Sequence, residues 1–141
     1  MTLNFGPDIG NRKSRTDFKT CFNVGEIKRG NFMKIQDVPF MTTDWNKISV
    51  SEHNGDQGKA LWRTLEIGNI RVRMVEYTPG YIADHWCSRG HVLLVTDGEL
   101  ETELKDGRKF KMYPGMSYQV ATDAEPHRSS TKTGAKLFIV D

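Results

Sequence analysis

The feature that most constrains the fold of this chain is the alternation of apolar and polar residues over short segments. The alternation is clearest in "IRVRMVEYT", which begins at Ile70. Ile70, Val72 and Met74 share one face of an extended chain, and Arg71 and Arg73 begin the other face. A repeat of two residues is the period of a β-strand, whereas a helix has a period near 3.6 residues. The sequence contains no convincing helical period, so we expect strands to make up the fold.

Turn residues separate the strand-like segments at short intervals. "TDGE" (96–99) and "KDGR" (105–108) contain the Asp-Gly pair that favours β-hairpins. "HVLLV" (91–95) is a continuous apolar run, which predicts a strand buried on both sides. "MKIQDVPF" (33–40) predicts a short strand closed by Pro39. Many short strands joined by Gly and Pro turns predict an all-β sandwich or barrel.

Size and charge narrow the classes of function. A chain of 141 residues suits one domain. Lys and Arg number 20 against 18 Asp and Glu, a balance too even to favour nucleic acid or an anionic membrane as the partner. No apolar run approaches the ~20 residues that span a bilayer, and the N-terminus lacks the apolar core of a secretory signal. Two cysteines do not make a disulfide framework. These features predict a cytoplasmic protein with reduced thiols.

The first 32 residues differ from the rest of the chain. They show no sustained helical or strand period and carry a basic excess, so we interpret 1–32 as a flexible or loosely docked N-terminal extension. A second interpretation is that the natural protein starts at Met33, because the codons of Lys28, Arg29 and Gly30 can form a purine-rich run similar to a bacterial ribosome-binding site. On either interpretation the folded unit is expected to span 33–141.

Potential metal ligands cluster in one part of the chain. His85, Cys87 and His91 lie within seven positions of one another, although the sequence has only four histidines. In an unbroken strand these three odd-numbered residues would face the same side, unless Gly90 hosts a bulge. Imidazole and thiolate are strong ligands for zinc, iron and copper, and a barrel would allow His127 to supply a fourth donor from a distant strand. The alternative is a pair of hydrogen-bonded interior histidines beside an apolar core cysteine.

The spacing of these residues resembles the first sequence motif of the cupin superfamily. That motif has a glycine, then His-x-His, a Glu three or four residues later and a glycine six residues beyond it. Gly80 opens the match, and His85 and Cys87 stand at the two histidine positions. His91 replaces the glutamate, and Gly98 closes the motif.

The second cupin motif, a Pro/Gly turn followed by a strand and a histidine, is matched by "YPGMSYQVATDAEPH", in which His127 takes the fourth ligand position. More narrowly, "ADHWCSRGH" with "WRT" upstream and "EPHRSS" downstream is similar to the small bacterial DHCW-motif cupins. The resemblance covers 33–141. It implies a single-domain cupin double-stranded β-helix, a jelly-roll barrel that holds a metal near its mouth.

The resemblance also implies a ligand set, formed by His85, Cys87, His91 and His127. Three imidazoles and a thiolate favour zinc, with iron, nickel and copper as the other candidates. The resemblance implies that the protein is a metal-dependent enzyme acting on a small molecule in the barrel cavity. It also implies that the protein forms a homodimer. The alternatives are a non-catalytic binding or sensing protein with a structural zinc, and a redox sensor based on Cys87.

Several larger side chains near the motifs are candidates for the wall of such a cavity. Trp62, Trp86 and Tyr118 can line a pocket, although aromatic residues in strands more often belong to a core. Arg63 and Arg128 can bind an anionic group of a ligand or be solvated. The sequence leaves both alternatives open for all five.

Overall fold

The computed structural model describes residues 33–141, which are built from antiparallel strands. The predictions made for residues 1–32 lie outside this part. Nine strands and one short 3-10 helix occur within the described range, and none of its residues forms an α-helix. The elements in chain order are the 3-10 helix Trp45–Lys47, β1 Val50–Asn54, β2 Lys59–Ile67, β3 Ile70–Tyr77, β4 His91–Gly98, β5 Leu100–Leu104, β6 Lys109–Met112, β7 Ser117–Val120, β8 His127–Ser130 and β9 Ala135–Val140.

The strands form two sheets. One sheet has six strands in the order β1-β2-β3-β9-β4-β7, and the other has three strands in the order β6-β5-β8. Neighbouring strands are antiparallel in both sheets. The all-β class predicted from the alternating segments is therefore confirmed. Residues 33–141 contain no helix long and apolar enough to cross a bilayer.

The hydrophobic core joins the two sheets. Leu93, Val95 and Leu137 of the six-stranded sheet are almost fully buried, and they belong to the same apolar cluster as Leu100 of the three-stranded sheet. Burying an aliphatic side chain of this size stabilises a fold by about 1.5–3 kcal/mol relative to leaving it exposed. This shared core fixes the two sheets against each other and so fixes the site that lies between β4 and β8.

The two Asp-Gly pairs play different roles. The pair in 105–108 closes the hairpin that joins β5 to β6, with the Leu104 amide bonded to the Arg108 carbonyl at 2.8 Å, so this hairpin is confirmed. The hairpin predicted at 96–99 is wrong. There the chain leaves the six-stranded sheet and enters the three-stranded one, because β4 pairs with β7 and β9 instead of β5. Gly98 adopts a φ of 76° at this crossing.

Residues 33–40 do not form the predicted strand. They contact the turn between β2 and β3, where the side chain of Asn69 forms hydrogen bonds with their backbone. The Gln36 amide donates to Asn69 Oδ1 at 2.7 Å, and Asn69 Nδ2 donates to the Lys34 carbonyl at 2.8 Å. These bonds satisfy backbone groups of the segment without a strand ladder, and Asp37 within it has a φ of 58°, which is outside the extended range.

Two strands differ from expectation in the faces they bury. The alternation in β3 is present, but the side facing the interior is the one that carries Arg73, together with Val75 and Tyr77. In β4, Leu93 is buried whereas Val92 is 44% exposed. The prediction that β4 is buried on both sides is therefore wrong, because the described residues cover only one face of this strand.

Candidate metal centre

One strand from each sheet and the segment before β4 bring three potential metal ligands to one place. Cys87 and His127 form an isolated β-bridge, with Cys87 N–His127 O at 2.8 Å and His127 N–Cys87 O at 3.0 Å. This pairing sets their side chains beside each other, although the two residues are 40 positions apart. His127 begins β8 of the three-stranded sheet, and His91 begins β4 of the six-stranded sheet. Cys87, His91 and His127 are called the Cys–His cluster below.

The spacing within the Cys–His cluster suits a metal ion. One ligand atom from each of the three residues lies within 4.8 Å of the others, and His91 Nε2 is 3.2 Å from His127 Nε2. Two nitrogens bound tetrahedrally at 2.0–2.1 Å from zinc would be about 3.3 Å apart. Among residues 33–141 these are the His, Cys, Asp and Glu side chains that meet in such a group. The cluster can therefore hold a divalent metal.

The orientation of His127 favours ligation through Nε2. Its Nδ1 lies 2.9 Å from the carbonyl oxygen of Glu125, which only accepts hydrogen bonds, so the proton belongs on Nδ1. With a metal bound, Nε2 would carry no proton and would direct its lone pair at the ion, whereas without a metal a proton on Nε2 can be donated to Cys87. In many proteins a metal-binding histidine is oriented in the same way, by a hydrogen bond from its other ring nitrogen to a carbonyl or carboxylate oxygen. His127 is only 3% exposed, which restricts the ring further.

The electrostatics of the cluster favour a thiolate. Hydrogen bonds from His127 and then His91 lower the pKa of Cys87 to about 5, against the opposing effect of burial. The same bond to Cys87 raises the pKa of His127 above its ordinary value. Thiolate is the form of cysteine that binds metals, so Cys87 is in its ligating form at neutral pH.

His85 is not brought to the Cys–His cluster. Its side chain is 69% exposed, and Nδ1 pairs with Asp84 Oδ1 at 2.5 Å. The premise of an unbroken strand from His85 to His91 is wrong, because residues 81–90 contain only isolated bridges, at Ile82 and Cys87. The role of His85 as a fourth ligand stays a prediction.

Comparisons with known proteins bear on the fold around this site. A scan against protein-family models found no match, and a search of curated proteins found none either. Solved structures do match. One is a sugar phosphate isomerase of the cupin superfamily from Silicibacter pomeroyi. Its alignment covers 71% of this chain and 74% of the isomerase chain, with 21% identity and a TM-score of 0.57. The polyketide cyclase RemF from Streptomyces resistomycificus aligns over 72% and 78%, with 17% identity and a TM-score of 0.62.

The chain has the cupin fold. A third similar structure, Fe(II)-HppE with an alternative substrate, aligns over 72% of this chain and 60% of its own, with 15% identity and a TM-score of 0.61. At identities this low the likeness concerns the fold alone. The fold predicted from the two sequence motifs is confirmed.

The Cys–His cluster lies in the wall of a cavity of about 250 Å³ in the cupin barrel, called the site cavity below. Trp62, Tyr118 and Arg128 line it, as the sequence allowed, whereas Arg63 and Trp86 do not. The hydroxyl of Tyr118 is 2.9 Å from His91 Nε2. The full lining consists of Trp62, Arg71, Arg73, Tyr77, Tyr81, Ala83, His85, Cys87, Arg89, His91, Leu93, Tyr118, His127, Arg128, Ser129 and Ile139.

Three arginines of the site cavity are absent from the residues that the sequence predicts for the site. The sequence pattern identifies Arg71 and Arg73 only as one face of a strand, and it does not distinguish Arg89. Alternation groups Arg71 with Arg73 but does not say which face of β3 turns inward. An interior face with two arginines is rare enough to be a signal, since charged residues are seldom buried without a partner.

Proposed function

We propose that this cupin barrel binds one divalent transition metal through the Cys–His cluster and acts as a metal-dependent enzyme on a small molecule in the site cavity. The observation that carries the proposal is the meeting of three ligand atoms within 4.8 Å at the wall of a cavity large enough for a small molecule. A site buried away from any cavity would have favoured a structural metal.

The donor set favours zinc, with iron, nickel and copper as alternatives. Two imidazole nitrogens and one thiolate sulfur form a softer set than carboxylates would, and zinc accepts all three atoms. Three protein ligands with an open fourth position is the pattern of catalytic zinc sites, whereas structural sites are closed by four. This pattern supports an enzyme over a binding or sensing protein.

The residues of the site have separable tasks. A bound divalent metal would supply a Lewis acid that polarises an oxygen of the substrate. Cys87 and the two histidines would hold the metal, and the Glu125 carbonyl keeps the His127 ring in place. Burial raises the pKa of Tyr118 above its ordinary value, so its hydroxyl keeps its proton at neutral pH and can donate a hydrogen bond to a ligand oxygen. The apolar side chains of Leu93 and Ile139 limit the entry of water.

Metal content of the purified protein tests the proposal. Elemental analysis is expected to find close to one transition metal per chain, and His127→Ala is expected to lose most of it, because the variant lacks one of the three ligand atoms while its backbone can still form the bridge to Cys87. His53→Ala is the matched control, since His53 is exposed and lies outside the Cys–His cluster, and its contacts within 33–141 include a hydrogen bond with Ser51 and stacking on Trp62. Full metal content in the His127 variant would remove this residue from the site.

A structural metal in a non-catalytic protein is the second candidate function. It is favoured by one observation, which is that His85 lines the site cavity two residues from Cys87 and could close the coordination shell by turning its side chain. Retention of metal by His85→Ala supports the three-ligand site. Loss of metal from that variant, equal to the loss in His127→Ala, supports the closed site instead.

A further inference from the structure

The site cavity is strongly basic. Four of its lining residues are arginines, and no Asp or Glu side chain is among the described residues that line it. Arg71 and Arg73 come from β3, Arg89 from the segment before β4, and Arg128 from β8. Charges of one sign gathered in a cleft raise the local concentration of ligands of the opposite sign.

Carboxylates outside the lining neutralise part of this charge. Asp141 accepts hydrogen bonds from Arg71 Nε at 2.7 Å, from Arg71 Nη2 at 2.8 Å and from Arg73 Nη2 at 2.7 Å. Glu103 accepts from Arg128 Nη2 at 3.1 Å. Two carboxylates and the Cys87 thiolate thus face four guanidinium groups, and positive charge remains in excess, with Arg73 sharing its partner and Arg89 having none in the described part of the chain.

Arg73 is buried with part of its hydrogen-bonding capacity unused. Its side chain is 8% exposed, and Nε has no partner among the described residues. The guanidinium lies 4.7 Å from the ring centre of Trp62, whose Nε1 is also buried and unpartnered within 33–141. Leaving a charged donor buried without an acceptor is unfavourable. Both orphaned donors belong to residues that line the site cavity.

Arg89 has no carboxylate within ion-pair distance in the described part of the chain. It is exposed and lies two residues from both Cys87 and His91 in the sequence, so it stands where the cavity meets solvent. An anion entering the cavity would meet Arg89 first and Arg73 deeper inside.

We infer that the site cavity takes a small molecule bearing an oxyanionic group, a carboxylate or a phosphate, which pairs with Arg73 and Arg89. Guanidinium groups bind both kinds of oxyanion through paired hydrogen bonds. The oxyanionic molecule is a substrate only if the proposed function holds, so in that respect the inference rests on the proposed function. Binding of the molecule can be measured without turnover. It also explains why the interior face of β3 carries arginines where a barrel would ordinarily place apolar residues.

Calorimetric titration of the full chain with succinate and with inorganic phosphate tests the inference, with succinamide as the uncharged counterpart of succinate. We expect at least one of the two anions to bind and succinamide not to bind. Arg89→Gln and Arg73→Gln are each expected to weaken binding about tenfold or more, which is the effect of losing a hydrogen bond to a charged group. Arg63→Gln, an arginine outside the cavity lining, is expected to leave binding unchanged. Which anion binds distinguishes a carboxylate ligand from a phosphate ligand.

Binding that is equal in the wild type and in Arg89→Gln would overturn the inference, as would binding of succinamide or the absence of binding by both anions. Arg89 is exposed, so its variant gives an answer even if Arg73→Gln fails to fold. Repeating the titration in His127→Ala separates the two proposals. Anion binding by His127→Ala leaves the inference standing whatever the metal content of the protein, whereas metal binding by the wild type without any effect of the arginine substitutions on anion binding leaves the metal proposal standing and the inference wrong.

Discussion

At the scale of single residues, the main result is that neighbours decide the chemistry of Cys87. The residue is half-buried, and burial alone would raise the pKa of its thiol. The two histidines outweigh that effect because each hydrogen bond stabilises the thiolate. The residue types could be recognised in the sequence. Their mutual approach could not, since His127 reaches Cys87 through a β-bridge across 40 positions.

The first prediction concerns this thiol in metal-free protein. Titration followed by thiolate absorbance near 240 nm in a Cys21→Ser background is expected to give a midpoint at about pH 5, with the thiolate present above that pH. His127→Ala should move the midpoint up toward the ordinary value of about 8.5. Cys87→Ser, which removes the remaining thiol, is the control for the signal. A midpoint near 8.5 in protein that retains His127 would contradict this account of the cluster.

At the scale of elements, strands were easier to predict than their partners. β3 follows directly from alternation, and it pairs with β2 over eight residues. The two Asp-Gly pairs are alike in sequence, but only the one at 105–108 closes a hairpin, because the partner of β4 is decided by packing between distant strands. The face of β3 that turns inward could not be predicted either, since its arginines are accommodated by Asp141 at the far end of the chain.

The second prediction concerns the crossing between the two sheets. Gly98 has a φ of 76°, and a Cβ built on it would lie 2.1 Å from the Gly134 carbonyl oxygen. Gly98→Ala is therefore expected to destabilise the fold by more than about 2 kcal/mol, since strain of the left-handed conformation alone costs about 1–2 kcal/mol. Urea unfolding measures the difference in free energy.

Gly107→Ala is the matched control for this experiment. Gly107 has a φ of 97°, but no atom lies within 4 Å of the position that a Cβ would take there, so its replacement adds conformational strain without a collision. Its cost is expected to stay near 1–2 kcal/mol. Equal losses in the two variants would show that the close approach to Gly134 does not matter.

At the scale of the whole molecule, the cupin barrel explains why a site can form from donors in both sheets. The sequence motifs predicted the fold and three residues of the Cys–His cluster. They placed His85 with the others because motif position implies a common strand, whereas residues 81–90 form a loop held only at isolated bridges. The homodimer expected from the resemblance stays a prediction that sedimentation analysis of the purified protein can check.

X-ray absorption at the edge of the bound metal measures whether the Cys–His cluster holds the ion. We expect a first shell with one sulfur at about 2.3 Å and two imidazole nitrogens at about 2.0–2.1 Å, completed by a lighter exchangeable ligand if the metal is zinc. Cys87→Ser should remove the sulfur from that shell. A shell of oxygen atoms alone, or one whose sulfur persists in the Cys87 variant, would contradict this expectation.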